Sequence, residues 1–221
     1  MELFLDSSKI EEVRKWKSVI SGVTTNPSII LKDGGNCKAY LRELCLSVPN
    51  MPVSIEATGD IVSDARFYTN AYGNAVIKVP LLRPDQGDNL NLISGLVKDG
   101  IKVNCTALFS LSQVILASKV GSTYVSLFAG RIDDEGGDSF EVIKDCIDYL
   151  GWVNRLCDIR KDLKTQLIVG SIRSVKDVQN ACKAGAHIIT VPPVVLEKML
   201  EHKYSRETVK QFETDARKLS T

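Results

Sequence analysis

The sequence predicts a single closed barrel of eight parallel strands, each followed by a helix: a (β/α)8 fold. Three observations predict it. Short apolar runs of strand character recur from end to end, amphipathic stretches of helical period separate them, and polar side chains collect at the same end of run after run. Apolar strands that alternate with helices indicate a parallel sheet covered by its crossovers. Right-handed crossovers allow an open sheet or a closed barrel. The count of eight runs and the length of 221 residues favour closure. An open doubly wound sheet would announce a phosphate loop after its first strand, and LFLDSSK has no glycine for one.

Each element has its own reason. The first run, 3–6, is apolar up to Asp6, and the helical pattern at 8–20 opens with Ser8 and Glu11 at the spacing of a capping box. The second run, 22–25, ends at Asn26-Pro27, a pair suited to an N-cap with proline at the first helical position. A helical pattern at 36–47 leads to the third run, 52–56, which ends at Glu56. The pattern at 60–72 leads to the fourth, 75–79, stopped by Pro80. Helical stretches at 87–99 and 110–120 flank the fifth run, 102–106, and the sixth follows at 124–128. A long pattern at 139–164 precedes the seventh run, 167–170; helices near 174–184 and 193–201 flank the eighth, 188–191. No stretch reads as a linker, so residues 1–221 form one domain. A last amphipathic segment, 205–219, exceeds the eight-unit plan and is expected to pack on a neighbouring subunit.

Composition excludes several classes of function. Lys and Arg number 28 and Asp and Glu 27, with no basic block to follow a phosphate backbone, which argues against a nucleic-acid partner. No apolar run approaches the roughly 20 residues that span a bilayer. MELFLDSSKIEE lacks the basic start and apolar core of a signal peptide. Six cysteines, at 37, 45, 105, 146, 157 and 182, show neither CxxC pairs nor neighbouring histidines. They read as reduced, mostly buried residues of a cytoplasmic protein, with no zinc site and no cofactor implied. His187, at the far end of the last strand from the polar residues, reads as structural.

NAVIKVP, residues 74–80, places a lysine inside an apolar strand. Lys78 shares a face with Val76 and not with Ile77 or Val79. Burial on both faces would bury the ammonium, and an unpaired charge in an apolar place is costly. The other strand ends explain it. They present Asp6, Thr24 to Asn26, Glu56, Thr106, Ser126, Phe128 and Ser171, and the opposite ends show no comparable set. Barrel chemistry gathers at the C-terminal ends of strands. Each residue has an ordinary alternative: Asp6 or Asn26 as a helix cap, Lys78 snorkelling from an edge strand, Arg131 in FAGRIDD as a solvated loop cation. Their coincidence at one rim favours a site.

Burial disfavours a charged lysine and makes a neutral amine available. A neutral amine attacks carbonyls to form a Schiff base. The iminium is an electron sink that permits C–C cleavage beside it. Such chemistry needs an acid/base partner at the imine and a second at the hydroxyl whose C–C bond breaks. Glu56 and Asp6 meet those needs, and Arg131 and Arg173 suit the phosphate of a sugar phosphate. The residues thus point to a class I aldolase type of enzyme.

GVTTNPSII (22–30), VIKVP (76–80), NCTALFSLSQ (104–113), SLFAGRIDD (126–134) and VGSIRS (169–174) resemble, in order, the sequence blocks of the transaldolase family, over essentially the whole chain. The length is similar to that of the family's short form, which includes the fructose-6-phosphate aldolases. The resemblance implies Lys78 as the imine-forming lysine and Asp6 as the acid/base at the sugar C4 hydroxyl. It implies Glu56 and Thr106 as holders of a proton-relaying water. Asn26 and Ser126 would bind hydroxyls of the dihydroxyacetone fragment, Arg131, Ser171 and Arg173 would bind phosphate, and Thr24 would support the site. Short-form relatives assemble as pentamers or decamers, so a homo-oligomer is expected. The aldolases carry glutamine at the place of Glu56 and tyrosine at that of Phe128, so this chain resembles the transaldolases. A lyase releasing free dihydroxyacetone is the alternative, and a non-catalytic sugar-phosphate-binding barrel a third, which has no need of a buried amine. One departure lies in LLRPDQGDN (81–89), where the family has a short Thr- and Gly-containing turn; Arg83 there is a further candidate contact to substrate.

Overall fold

The computed structural model describes residues 1–33, 37–160 and 164–219. Strand β1 (Glu2–Asp6) leads to α1 (Ile10–Trp16), and β2 (Gly22–Thr24) to α2 (Pro27–Lys32) and α3 (Cys37–Ser47). Strands β3 (Val53–Glu56) and β4 (Ala75–Pro80) are followed by α4 (Ile61–Ala71) and α5 (Leu90–Lys98). Then come β5 (Val103–Leu108), α6 (Leu111–Lys119), β6 (Tyr124–Phe128), α7 (Ala129–Asp134) and α8 (Ser139–Arg160). The chain ends with β7 (Gln166–Gly170), α9 (Val175–Lys183), β8 (Ile188–Val191), α10 (Pro193–Leu200) and α11 (Lys203–Leu219). The strands pair in parallel, in chain order, and β8 pairs back onto β1. This is a (β/α)8 TIM barrel with three added helices, the short α2 and α7 and the C-terminal α11.

Strand alternation divides the apolar residues into two groups. Leu5, Val23, Ile55, Ile77, Val79, Val125 and Val169 belong to the large core between the sheet and its helices. Phe4, Ile168 and Ile188 form a second cluster with Tyr124 against it, the apolar floor of the barrel interior. Gly22 belongs to that floor: a Cβ there would lie 2.6 Å from the Phe4 ring, so glycine makes room for phenylalanine. His187, beside this end, accepts a hydrogen bond at Nδ1 from the Leu167 amide (3.0 Å), and burial pulls its pKa down. The histidine is a structural acceptor.

Differences from the sequence reading concern short-range features. Two six-residue helices, α2 and α7, sit between predicted elements. Each is too short to show a helical period. The capping box at Ser8 and Glu11 does not form. The N-cap of α1 is Lys9 with no side-chain cap bond, and the Ser8 hydroxyl instead donates to Asp33 Oδ2 (2.5 Å) at the end of α2. Of the residues of the long predicted helix 139–164, 161–163 lie outside the described residues. Cys45, Cys105 and Cys146 are buried, their thiols pushed up to about 12 by desolvation, while Cys182 is exposed. The cysteines at 37 and 157 fall outside the described side chains. Among the described residues no helix is long and apolar enough to cross a membrane.

Candidate active site

Strand pairing assembles the centre of the site. Register sets Glu56 beside Lys78 and Lys78 beside Asn104 across β3, β4 and β5, so three polar side chains stand side by side on the inner face. Lys78 is 5 % exposed. Its Nζ donates to the Thr25 carbonyl (3.2 Å), lies 3.6 Å from Glu56 Oε2 and 6.0 Å from the centroid of the Phe128 ring. Phe109 meets that ring edge-on at 5.8 Å and fixes it. The ammonium is thus buried without being wrapped in carboxylates, and Glu56 stands within ion-pair distance but outside hydrogen-bond distance.

Asp6 ends β1 on the other side of the barrel mouth and accepts a hydrogen bond from Thr24 Oγ1 (2.8 Å). Burial raises its pKa above the ordinary carboxylate value, while the Lys78 charge and the Thr24 hydroxyl pull it partly back. A carboxyl so placed holds a proton more readily than an exposed aspartate does. A chain of polar groups links β6, β5 and β3: Ser126 Oγ donates to Asn104 Oδ1 (2.7 Å), and Asn104 Nδ2 donates to Ser54 Oγ (3.1 Å). These bonds lock Asn104 and Ser126 into one orientation.

A cavity of about 180 Å³ opens over this array. Eight of the eleven residues expected from the sequence line it: Asp6, Thr24, Asn26, Lys78, Ser126, Phe128, Arg131 and Ser171. Asn26 serves twice, since its Oδ1 also caps α2 by accepting from the Ile29 amide (2.9 Å). Glu56 and Thr106 lie outside the lining. Thr106 Oγ1 is buried with no hydrogen-bond partner, next to a register break in β5 and to Ala107, which has φ 59°. Arg173 does not reach the cavity; its guanidinium pairs with Asp134 through two bonds of 2.5 Å and holds that carboxyl below the usual range.

Backbone strain gathers here. The only non-glycine residues with positive φ among those described are Gln86, in the turn after β4, Ala107, near the C-terminal end of β5, and Ser171, just beyond β7. Such conformations persist where the surroundings over-determine them, commonly at functional sites. Gly130 makes room for Ser171, since a Cβ there would come within 2.4 Å of the Ser171 carbonyl oxygen. The departure at 81–89 is a closed turn. Arg83 N donates to the Gly87 carbonyl, Arg83 Nε to Asp85 (3.0 Å), and Asn89 Nδ2 ties the base of the turn to the Pro80 carbonyl (2.9 Å). Arg83 is thereby bound within its own loop and does not line the cavity. Asn104 and Thr190 are the site residues that sequence reading missed. Period-two alternation from Thr106 would have revealed the first; nothing distinguishes Thr190 inside the run IITV.

The sequence model of the family described as "Transaldolase/Fructose-6-phosphate aldolase" matches residues 3–221. The chain belongs to this family. Full-length relatives bear the name "Probable transaldolase". One from Caldicellulosiruptor saccharolyticus is 38 % identical over 225 residues, covering 99 % of this chain and 98 % of its own. Others from Thermoanaerobacter sp. and Clostridium botulinum are 36 % and 35 % identical, each covering 99 % of this chain and 98 % and 97 % of their own. Among solved structures, thiamine phosphate pyrophosphorylase from Pyrococcus furiosus is similar with TM-score 0.55 and 13 % identity, covering 86 % of this chain and 85 % of that one. That likeness is of fold alone. The family membership makes this chain an enzyme.

Proposed function

We propose that this enzyme is a transaldolase: a transferase that moves a dihydroxyacetone unit between sugar phosphates through a Schiff base on Lys78. The observation that carries the reading is the buried Lys78 amine, held at the mouth of a barrel with Asp6 and Glu56 on separate strands around it. Lys78 Nζ attacks the ketose carbonyl carbon, and loss of water gives the iminium. Asp6 takes the proton of the C4 hydroxyl as the C3–C4 bond breaks and its electron pair moves into the iminium. The aldose leaves, and an acceptor aldehyde reverses the steps. Glu56 and Thr106 hold the water that carries protons at the imine; the unpartnered Thr106 hydroxyl and the Glu56 carboxylate beside Lys78 suit that water. Asn26 and Ser126 bind substrate hydroxyls. Arg131 and Ser171 bind phosphate at the cavity, and Arg173 joins them on leaving Asp134.

The substrates are sedoheptulose 7-phosphate or fructose 6-phosphate as donor and glyceraldehyde 3-phosphate or erythrose 4-phosphate as acceptor, in the non-oxidative pentose phosphate pathway of the cytoplasm. Glu56 and Phe128 favour transfer over release, since a carboxylate trades protons with water and an amide does not readily do so. The enzyme works as a homo-oligomer, with α11 on a neighbouring subunit. No residue of α11 is buried, and Val209, Phe212 and Leu219 stand exposed on it. Loss of residues 203–219 should lower the mass measured by light scattering, and an unchanged mass would remove α11 from the interface. For the activity, borohydride with fructose 6-phosphate should leave a stable mass adduct on Lys78, and erythrose 4-phosphate should form faster than free dihydroxyacetone. Absence of the adduct would defeat the Schiff-base reading. Release exceeding transfer would make the enzyme a fructose-6-phosphate aldolase.

A further inference from the structure

Thr190, on β8, has a hydroxyl that the steps above leave unused. It is 7 % exposed, lines the cavity and makes a hydrogen bond with Thr24 Oγ1. Thr24 Oγ1 in turn donates to Asp6 Oδ1 at 2.8 Å. A threonine hydroxyl has one proton. If Thr24 gives its proton to Asp6, the bond between the two threonines must be filled by the proton of Thr190. The direction is then fixed: Thr190 to Thr24 to Asp6. When Asp6 itself carries a proton and donates it to Thr24, the Thr24 proton turns toward Thr190 and the chain runs the other way. Each charge state of Asp6 has one complete arrangement, reached by rotating two hydroxyls.

We propose that Thr190 is a positioning residue that sets the direction of the Thr24 hydroxyl, so that Asp6 can accept and return the substrate proton without losing its hydrogen bond. The proposal rests on the acid/base role given to Asp6 above. In the cleavage step the proton leaves the C4 hydroxyl for Asp6, the electron pair of the C3–C4 bond goes to the iminium, and the two hydroxyls reorient with no proton leaving the threonines. In the transfer step the same proton returns to the new hydroxyl. β1 lies between its partners β2 and β8, so period-two alternation sets all three side chains on the inner face.

Other charged groups surround Asp6. Lys78 and Arg131 line the same cavity, and Glu56 stands 3.6 Å from Lys78. Lys9 and Glu12 from the α1 side, Lys32 and Asp33 from α2 and Glu197 from α10 line the adjoining depression that Asp6 also borders. Of these, Lys78 acts on the Asp6 titration, and the Thr24 hydrogen bond acts in the same direction. The substitution Thr190→Val leaves every one of these charges in place and removes one proton donor.

The experiment is the pH profile of kcat/KM for transfer in the wild type, Thr190→Val, Thr190→Ser and Thr24→Val, with borohydride trapping on each. In Thr190→Val the Thr24 hydroxyl loses its donor and holds the carboxylate less well, so the acid limb should move to higher pH. Its kcat at neutral pH should fall about five- to tenfold, the scale of one hydrogen bond, with KM little changed. Thr190→Ser keeps the hydroxyl and should restore both limb and rate, and Thr24→Val should move the limb further. Trapping at Lys78 should persist in all four. An unmoved limb in Thr190→Val, or a Thr190→Ser enzyme as impaired as Thr190→Val, overturns the proposal. A wild type that forms no adduct removes the Schiff-base reading, and the relay with it.

Discussion

The interior of this barrel has a floor and a mouth, built on the same inner face of the same strands and held by opposite physics. At the floor, Phe4, Ile168 and Ile188 pack with Tyr124, and Gly22 is small because Phe4 is large. Among the described residues, neither a non-glycine residue at positive φ nor a buried unpartnered side-chain atom belongs to the floor. Two residues further along the same strands, Asp6 succeeds Phe4, Thr24 succeeds Gly22 and Thr190 succeeds Ile188. The mouth contains a buried amine, a carboxyl whose proton burial favours, an unpartnered threonine hydroxyl and two non-glycine residues at positive φ. A closed floor lets the fold tolerate an unfavourable mouth, which is the usual division between stability and function in these barrels.

If that division is right, the largest effect comes from removing the amine alone. Lys78→Met keeps the length and the apolar contacts of the side chain. Turnover should fall by about 10⁵-fold or more, as when a covalent nucleophile is lost, while circular dichroism and the melting temperature stay near those of the wild type. A Lys78→Met protein that still traps substrate would place the nucleophile elsewhere.

Next come Glu56 and Phe128. Glu56→Gln should slow transfer by about a hundred- to ten-thousandfold, the range for a positioned acid/base group. Phe128→Tyr adds a hydroxyl near the Lys78 amine and should partly replace the lost carboxylate. The double variant should shift products toward free dihydroxyacetone by more than the single changes combined, because groups sharing one water couple. Measuring both products across the four enzymes tests it, and an unchanged ratio in the double variant would place specificity elsewhere.

The two arginines should differ from each other. Arg131 lines the cavity and Arg173 is tied to Asp134. Arg131→Ala should raise KM for fructose 6-phosphate about ten- to hundredfold with kcat little changed, the scale of a charge-assisted hydrogen bond. Arg173→Ala should raise it less. Equal losses for phosphorylated and unphosphorylated ketoses would show that Arg131 does not bind the phosphate.

How much of this could be read from residues alone follows the same division. Repeating patterns were legible: β6 and β8 fall on the predicted residues, and the other strands differ by one or two positions. The rim was legible because ionisable residues in apolar runs are conspicuous, and the polar strand ends led to eight of the ten residues lining the cavity. What stayed hidden depends on partners distant in sequence. Ser8 has the local spacing of a capping box, but its hydroxyl bonds Asp33, 25 residues away. Arg173 reads as a phosphate ligand, yet it rests on Asp134, 39 residues away. Thr190 gains its importance only when closure of the barrel brings β8 beside β1. The six-residue helices α2 and α7 lack the length to show a period.

The floor can be disturbed in its turn. Gly22→Ala puts a methyl group into the Phe4 ring, and overpacking of this kind destabilises by about 1–3 kcal/mol. Urea denaturation should show that loss, while kcat per folded enzyme, titrated by borohydride trapping, stays unchanged. Activity falling faster than stability would mean that floor and mouth are mechanically coupled.

The smallest effect tests whether the mouth lowers the stability of the fold. Asp6 has a pKa raised from 3.8, chiefly by burial, with the Lys78 charge and the Thr24 hydrogen bond opposing it. Between the unfolded and folded values the folded chain binds more protons than the unfolded one, so stability falls as pH rises. The contribution of this carboxyl is fully present below 3.8 and is lost as pH rises through the folded value. Asparagine fills nearly the same volume and does not titrate. The stability of the wild type relative to Asp6→Asn should therefore decline with rising pH across that window and level off above it, while titrating groups that do not interact with Asp6 cancel in the difference. Urea midpoints of the two proteins at a series of pH values from the acid range to neutrality provide the measurement. A difference that stays constant would show that Asp6 titrates alike in both states. A difference that grows with pH would show that Lys78 and Thr24 outweigh burial, and the mouth would then be stabilised by its own charges.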